Sequence, residues 1–170
     1  GTVIKISKLY ETPSWGFESD AFYNCALVLH TFLSAHKILE QILDIERRLG
    51  RVREDTLEYQ SRSIDIDLIA FDEEIIETKE LQIPHPLMQN RKFVLLPMME
   101  VVSDWTHPIS QKSISDILKD CKDEGNCVKI SKLNAPLQKI VLQHSEQPIR
   151  LAQAIKQLYL DLISQTKDLA

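Results

Sequence analysis

The chain has little of several features that mark particular classes of protein. Its 170 residues carry a formal net charge of −5, so a broadly basic surface for nucleic acid is excluded. It holds only three cysteines, and no pair has the C-x-x-C spacing of a metal site. An odd number of cysteines without a disulfide framework is typical of a reducing cytoplasm. No apolar run is long enough to span a membrane, and no secretory signal is visible.

What is present predicts an ordinary folded domain. Hydrophobic residues make up 44% of the chain and charged residues 26%, which is sufficient for a globular core. Residues 1–133 read as one domain. The sequence pattern changes at Asn134. Residues 134–170 are interpreted as an appendage that ends in an amphipathic helix from Ile149 to about Asp168.

One stretch, residues 61–71, concentrates the candidate chemistry. Its content of Ile and Leu predicts a buried strand, with Asp65 and Asp67 on one face. Two carboxylates at i and i+2 are costly there unless a cation meets them, and Mg²⁺ prefers such oxygen ligands. Arg62, just before the pair, is suited to bind a phosphate in bidentate fashion. The alternative is that both aspartates simply face water.

Other candidate residues surround this stretch in sequence. Five of the seven arginines lie between residues 47 and 62, in or next to a polar loop, and either reach a phosphate or pair with nearby acids. His85 is fixed between Pro84 and Pro86, which makes it a better phosphate donor than most lone histidines. Asn24 is a polar residue in an apolar strand, and it needs a partner from a ligand or a loop backbone.

The hydrophobic pattern predicts mixed helices and strands. Strands are expected over 2–9, 22–31, 61–71, 75–77 and 128–133, with a loop over 11–20. Helices are expected over 35–49, capped by Ser34, over 91–102, and from a capping box at Ser113 to about Lys122. Pro97 predicts a kink or an early end of the second helix.

Five motifs together resemble the 6-hydroxymethyl-7,8-dihydropterin pyrophosphokinases of folate biosynthesis. They occur in family order with near-family spacing over residues 1–133. The motifs are Tyr10-Glu11-Thr12-Pro13; Phe22-Tyr23-Asn24; Glu46 followed by Gly50-Arg51-Val52-Arg53; Ser61-Arg62 through Asp65-Ile66-Asp67; and Pro84-His85-Pro86 through Arg91-Lys92-Phe93. Each motif alone is weak, but their joint occurrence is specific.

The resemblance implies a ferredoxin-like α+β fold with a mostly antiparallel sheet, to which the C-terminal helical extension is added. Pyrophosphate would pass from ATP to the pterin alcohol, with release of AMP and with two Mg²⁺ ions held by Asp65 and Asp67. It implies catalytic roles for Arg51, Arg62 and Asp67, and ATP contacts from Glu46, Arg53, Tyr59, His85 and Arg91. The pterin would contact Thr12, Pro13, Ser14, Trp15, Phe22, Asn24 and Phe93, stacked between the two phenylalanines.

The chain departs from the family pattern at its start. The family's first strand, with its Gly-Ser-Asn sequence, and the helix that follows are missing before Gly1. Since that strand is central in a ferredoxin-like sheet, its neighbours would lack backbone partners. We expect that the natural polypeptide begins upstream; the alternative is that the appendage covers the gap.

Two other functions compete with the pyrophosphokinase. A nucleotidyltransferase palm also places Asp-x-Asp on a strand, but it needs a third downstream carboxylate and a Gly-Ser nucleotide loop, which we do not find. A catalytically incomplete remnant that binds pterin or nucleotide, or docks a partner through its appendage, is the other alternative. The expected partners are the two small substrates and no membrane or nucleic acid, with other folate-pathway enzymes as further candidates.

Overall fold

A computed structural model of the chain describes residues 1–12, 22–48 and 65–130. The chain divides into two compact units. Among the described residues, the first unit comprises 1–4, 29–48 and 65, and the second comprises 5–12, 22–28 and 66–130. The predicted appendage helix at 149–168 lies outside the described residues.

The main described element of the first unit is helix α1, Ala35–Arg48. Its start confirms the predicted cap, because the Ser34 hydroxyl accepts a hydrogen bond of 3.4 Å from the Lys37 amide. The buried side chains recur at helical spacing and form one face of α1: Ala35, Ile38, Ile42, Ile45 and Glu46. The opposite face is charged, as expected for an amphipathic helix.

The predicted strand over 22–31 divides into two, whereas the one over 2–9 ends at Ile6 and a new strand begins at Leu9 and continues into the predicted loop over 11–20. The structure has β1 at Thr2–Ile6, β2 at Leu9–Thr12, β3 at Phe22–Asn24 and β4 at Leu27–His30. β1 pairs with β4, and β2 pairs with β3. At the breaks, the Ser7 amide donates to the Ala26 carbonyl at 2.8 Å, while the Ser7 hydroxyl accepts from the Ala26 amide at 2.9 Å. The serine hydroxyl therefore takes the place of a backbone acceptor, and each long strand is interrupted there.

The second unit is built on a three-stranded antiparallel sheet of order β3-β2-β7, where β7 is Val128–Ile130. Helix α2, Lys92–Val101, contacts β2 and β3. Helix α3, Ile114–Asp120, contacts α2, and its predicted cap is confirmed because the Ser113 hydroxyl accepts from the Asp116 amide at 3.1 Å. The core between these helices consists of Met88, Leu95, Met98, Ile114 and Ile117.

A small hairpin lies between the aspartate stretch and α2. Strand β5, Ile76–Glu77, pairs antiparallel with β6, Gln82–Ile83. The predicted tight turn before it is present, since the Glu74 amide donates to the Phe71 carbonyl at 3.0 Å. After β6 the Ile83–Pro84 peptide is cis, and a short 3-10 turn, Met88–Asn90, leads into α2.

The predicted strand over residues 61–71 is wrong for the part that the structure describes. Residues 65–71 have no regular secondary structure. The Ile69 carbonyl accepts from the His85 amide and the Phe71 carbonyl accepts from the Glu74 amide, and neither bond belongs to a strand ladder. The predicted alternation nevertheless holds, because Asp65 and Asp67 are exposed while Ile66 and Leu68 are partly buried.

The fold class is α+β, as predicted. The described strands form three small sheets of two, three and two strands, and the ferredoxin-like arrangement stays a prediction. Pro97 does not end α2, which continues to Val101. Pro97 is fully buried, and its packing offsets the lost backbone hydrogen bond.

We expect Leu95→Ala to destabilise the protein by about 2–5 kcal/mol, because Leu95 is fully buried and its removal leaves a cavity in the core. Leu87→Ala is the matched control. Leu87 is 46% exposed, so its truncation should change the free energy of unfolding by roughly 0.5 kcal/mol or less. Urea denaturation of both variants measures the difference, and equal effects would contradict the described core.

Candidate active site

An aspartate and an arginine face each other at the centre of the candidate site. Asp67 lies in the irregular stretch, and Arg91 lies immediately before α2 with extended backbone angles, φ −125° and ψ 100°. The Arg91 Nη1 atom is 3.9 Å from the Asp67 Oδ2 atom. The side chain of Asp67 is 42% exposed and that of Arg91 is 24% exposed. At this distance and exposure the pair adds little to stability, and both groups keep surface for a ligand.

His85 lies beside the same two residues. Its backbone amide donates to the Ile69 carbonyl at 2.8 Å, which ties the stiff proline segment to the aspartate stretch. Its Nδ1 atom accepts a hydrogen bond of 3.2 Å from the Leu87 amide. The neutral imidazole therefore carries its proton on Nε2, where it is a donor suited to an anionic oxygen.

Charge and burial around His85 favour this neutral form. Burial is the main cause that lowers the pKa of His85, and the Arg91 guanidinium lowers it further. The Asp67 carboxylate acts in the opposite sense, without reversing the shift. At neutral pH the side chain is then a fixed hydrogen-bond donor rather than a cation.

Phe93 lies in the first turn of α2 and is partly buried. The Arg91 guanidinium carbon lies 5.7 Å from the centre of its ring, within the range of a cation–π contact. The arginine that faces Asp67 therefore also contacts the ring predicted to stack on the pterin. Phe22, the other predicted stacking residue, lies at the start of edge strand β3 and is 37% exposed.

Asn24 and Thr12 are joined across β2 and β3. The Asn24 Nδ2 atom donates to the Thr12 Oγ1 atom at 2.9 Å. Thr12 is buried and pairs in register with Phe22, while Asn24 pairs with Tyr10. A threonine side chain, which the sequence did not predict as a partner, thus satisfies one donor of Asn24, and the contact to a ligand stays a prediction. One strand pair carries Thr12, Phe22 and Asn24 together.

Helix α2 has polar anchors that the sequence did not suggest as parts of a site. Near its start, the Lys92 amide donates to the Asp123 carboxylate at 2.8 Å. Near its end, Glu100 accepts from the Lys8 amide at 2.7 Å and from the Tyr10 hydroxyl at 2.8 Å. Phe93 and Glu100 are seven residues apart, which places them on one face of the helix. This spacing was the one sequence feature that could have linked Glu100 to the candidate site.

The remaining predicted site residues are not joined to this group by the structure. Seven lie outside the described residues: Pro13, Ser14, Trp15, Arg51, Arg53, Tyr59 and Arg62. Glu46 lies on α1 in the first unit, where its side chain is only 1% exposed. Asp65 is exposed and is the last described residue of the first unit.

The donor set fits a magnesium ion that arrives with a nucleotide better than a metal held by protein alone. Within residues 1–12, 22–48 and 65–130, no group of three or more His, Cys, Asp or Glu side chains can hold a metal. Mg²⁺ usually takes one or two carboxylates and completes its shell with water and phosphate oxygens. Asp65 and Asp67, both exposed and two residues apart, suit that arrangement.

A separate depression of about 620 Å³ is lined by Asp72, Glu73, Glu74 and Trp105. None of these is a predicted site residue, and its three acidic side chains oppose the binding of phosphates. No helix in the described part of the chain is long and apolar enough to cross a membrane.

The arrangement joins an acid, a neutral donor and a cation to an aromatic ring, and comparison with known proteins identifies the family of the chain. Residues 1–103 match the model of the 7,8-dihydro-6-hydroxymethylpterin-pyrophosphokinase family. The chain belongs to this family, which confirms the predicted resemblance.

Curated proteins that are similar to this chain have names consistent with the same family. The chain is 45% identical over 121 residues to the folic acid synthesis protein FOL1 of Dictyostelium discoideum, covering 71% of this chain and 18% of that protein. It is 35% identical over 113 residues to the 2-amino-4-hydroxy-6-hydroxymethyldihydropteridine pyrophosphokinase of Aquifex aeolicus, covering 66% of this chain and 69% of that protein. The enzyme of the same name from Bacillus subtilis is 43% identical over 101 residues, 59% of each chain. The chain thus spans less than two thirds of the Dictyostelium and Bacillus proteins.

We expect the pKa of His85 to respond in opposite directions to its two charged neighbours. Asp67→Asn should lower it further, because a carboxylate that stabilises the imidazolium is lost. Arg91→Met should raise it, because a repelling cation is lost. NMR titration of the imidazole protons measures both shifts. His107, whose pKa is lowered mainly by burial, is the internal control and should not respond. An unchanged His85 in both variants would contradict the described geometry.

Proposed function

We propose that this protein is an ATP-dependent pyrophosphokinase that acts on 6-hydroxymethyl-7,8-dihydropterin in folate biosynthesis. The observation that carries the proposal is the group formed by Asp67, His85 and Arg91 beside Phe93, in a chain of this family. An acid, a neutral donor and a cation suit a magnesium–triphosphate, while the adjacent ring suits a flat heterocycle.

The proposed reaction is the transfer of a pyrophosphoryl group. The hydroxymethyl oxygen of the pterin attacks the β-phosphorus of ATP, and a new P–O bond forms there. The bond from the β-phosphorus to the oxygen that joins it to the α-phosphate breaks, AMP leaves with that oxygen, and the hydroxyl proton passes to solvent or a base. Such transfers need positioning and charge stabilisation more than covalent help from the protein.

The chain's own residues divide this work by charge. Arg91 and the Nε2–H of His85 would bind phosphate oxygens, while the 3.9 Å approach of Arg91 offsets the charge of Asp67 before a nucleotide arrives. By resemblance, Arg51 and Arg62 are the proposed catalytic cations. Glu46, Arg53 and Tyr59 are the proposed further contacts to ATP.

Asp65 and Asp67 would hold the magnesium, for which we propose two ions. Bound there with ATP, the ions would supply neutralisation of phosphate charge and alignment of the attacking and leaving oxygens. The protein would contribute two exposed carboxylates two residues apart. Arg91 lies near one of them, Asp67, and partly neutralises its charge.

The pterin half of the site is proposed on the strand pair and the start of α2. Phe22 and Phe93 would stack on the two faces of the ring. Asn24, oriented by its hydrogen bond to Thr12, would present its amide to the ring edge. Pro13, Ser14 and Trp15 are proposed, by resemblance, to complete the contacts to that edge.

We place the activity in the cytoplasm, where ATP and magnesium are available. The three cysteines are free thiols, which is consistent with a reducing compartment. The proposed partners are the two small substrates, and other enzymes of folate synthesis are further candidates.

The reaction product tests the function. With ATP, magnesium and the pterin alcohol, the protein should release AMP. Asp67→Asn should lower turnover by about a hundredfold or more, because the magnesium that would neutralise the phosphates loses a carboxylate ligand. Asp104→Asn, at an exposed aspartate of the same unit, is the control and should retain activity. Chromatography of the nucleotides measures both. Release of ADP would identify a different phosphotransferase, and binding without turnover would support the alternative of a catalytically incomplete remnant.

Phe93→Ala tests the assignment of the pterin face. Loss of the ring should raise the dissociation constant of the pterin by about tenfold and leave that of ATP nearly unchanged, since stacking acts on the heterocycle. Phe32→Ala is the control, because Phe32 is 98% exposed. Isothermal titration calorimetry measures both ligands. Equal weakening of ATP and pterin would rule out a specific stacking role.

A further inference from the structure

We propose that Asp123 and Glu100 are positioning residues that hold α2 from its two ends, so that Arg91 and Phe93 meet the substrates correctly. The identity of those substrates rests on the proposed function. The anchoring of α2 is argued from the hydrogen bonds that Asp123 and Glu100 accept near the two ends of the helix. Neither carboxylate is placed in contact with substrate.

Asp123 acts at the start of the helix. The first amides of a helix have no intrahelical acceptor, and the cap residue Arg91 provides no side-chain hydrogen bond to them. The Asp123 Oδ2 atom supplies the acceptor, at 2.8 Å from the amide of Lys92. Lys92 is bonded directly to Arg91 and to Phe93, so the position of one amide constrains both functional side chains.

The carboxylate of Asp123 is itself oriented. Its Oδ1 atom accepts a hydrogen bond of 2.9 Å from the Gly125 amide. A β-carbon at residue 125 would lie 2.9 Å from that oxygen, so glycine permits the close approach. Asp123 therefore bridges its own loop and the first turn of α2, with a negative charge where the helix dipole favours one.

Glu100 acts near the other end. Its Oε2 atom accepts from the Lys8 amide at 2.7 Å, and its Oε1 atom accepts from the Tyr10 hydroxyl at 2.8 Å and pairs with Lys129. Burial and the hydrogen bond to Glu100 raise the pKa of Tyr10 to about 12. Although burial opposes it, hydrogen bonds from Lys129, Lys8 and Tyr10 lower the pKa of Glu100.

Together the contacts fix α2 over the strands that carry the proposed pterin residues. Glu100 joins the helix to β2 and β7, and Phe93 lies on the same helix face two turns earlier. Strand β2 also carries Thr12, which holds Asn24. Asp123 and Lys129 both lie after residue 103, so a segment beyond the family match constrains the site. Small displacements of positioning groups are costly in catalysis.

Paired substitutions test the hold at Asp123. Asp123→Ala should raise the dissociation constants of both the pterin and ATP, each by about fivefold, since a lost helix cap loosens the first turn of α2 and with it both Phe93 and Arg91. Asp123→Asn keeps an acceptor and should restore most of the affinity. The matched control is Asp120→Ala, which removes an exposed ion pair with Lys112 in the same unit and should change neither constant. Calorimetry with the full chain measures all of these.

Hydrogen exchange separates this inference from the proposed function. In Asp123→Ala the amides of residues 92–94 should exchange at least about fivefold faster, while those of α3 should not. Glu100→Gln, which keeps one acceptor oxygen but loses the other and the charge, should weaken the pterin less than Glu100→Ala. Unchanged exchange at residues 92–94, or unchanged pterin affinity in both Asp123→Ala and Glu100→Ala, would overturn the inference. Failure of the unmodified protein to release AMP would instead overturn the function.

Discussion

The candidate site depends on a single electrostatic arrangement, in which the Arg91 guanidinium lies near the Asp67 carboxylate and His85 lies beside both. A lone carboxylate here would repel the phosphates of a nucleotide, and a lone arginine would bind any anion. At 3.9 Å the pair has almost no net charge, and both side chains are partly exposed. Because such a pair is weak, Asp67 is able to bind a cation and Arg91 a phosphate instead. The neutral His85 adds a directed donor without adding charge.

The fold supplies these groups from segments far apart in sequence. The irregular stretch at 65–71 carries Asp67, the proline segment carries His85, and the residue before α2 carries Arg91. The stretch and the proline segment are joined by the hydrogen bond from His85 to Ile69. The helix is in turn held by Asp123 and by Glu100. The anion-binding and aromatic halves of the site thus share the start of one helix, through the contact between Arg91 and Phe93.

Local patterns predicted the helices well, because each carried its own signal. Ser34 and Ser113 marked the starts of α1 and α3 by hydroxyl capping, and apolar spacing gave the buried face of α1. Strand limits were predicted less well, since a strand is defined by its partner. The division at Ser7 depends on its contact with Ala26, and such a long-range pairing has no local signature. The aspartate stretch had strand composition but found no neighbouring ladder within the described residues.

Asp67, His85 and Arg91, which the structure brings together, come from motifs that carry their own chemistry, and their roles stay predictions. The anchors of α2 were not predicted, because Asp123 is 31 residues from its partner Lys92 and nothing in its surroundings marks it. The most direct test of the central arrangement is a crystal structure with a non-hydrolysable ATP analogue and Mn²⁺, located by its anomalous scattering. The account predicts manganese bound by Asp65 and Asp67, with phosphate oxygens at His85 and Arg91. Manganese away from these two aspartates, or phosphates away from His85 and Arg91, would contradict it.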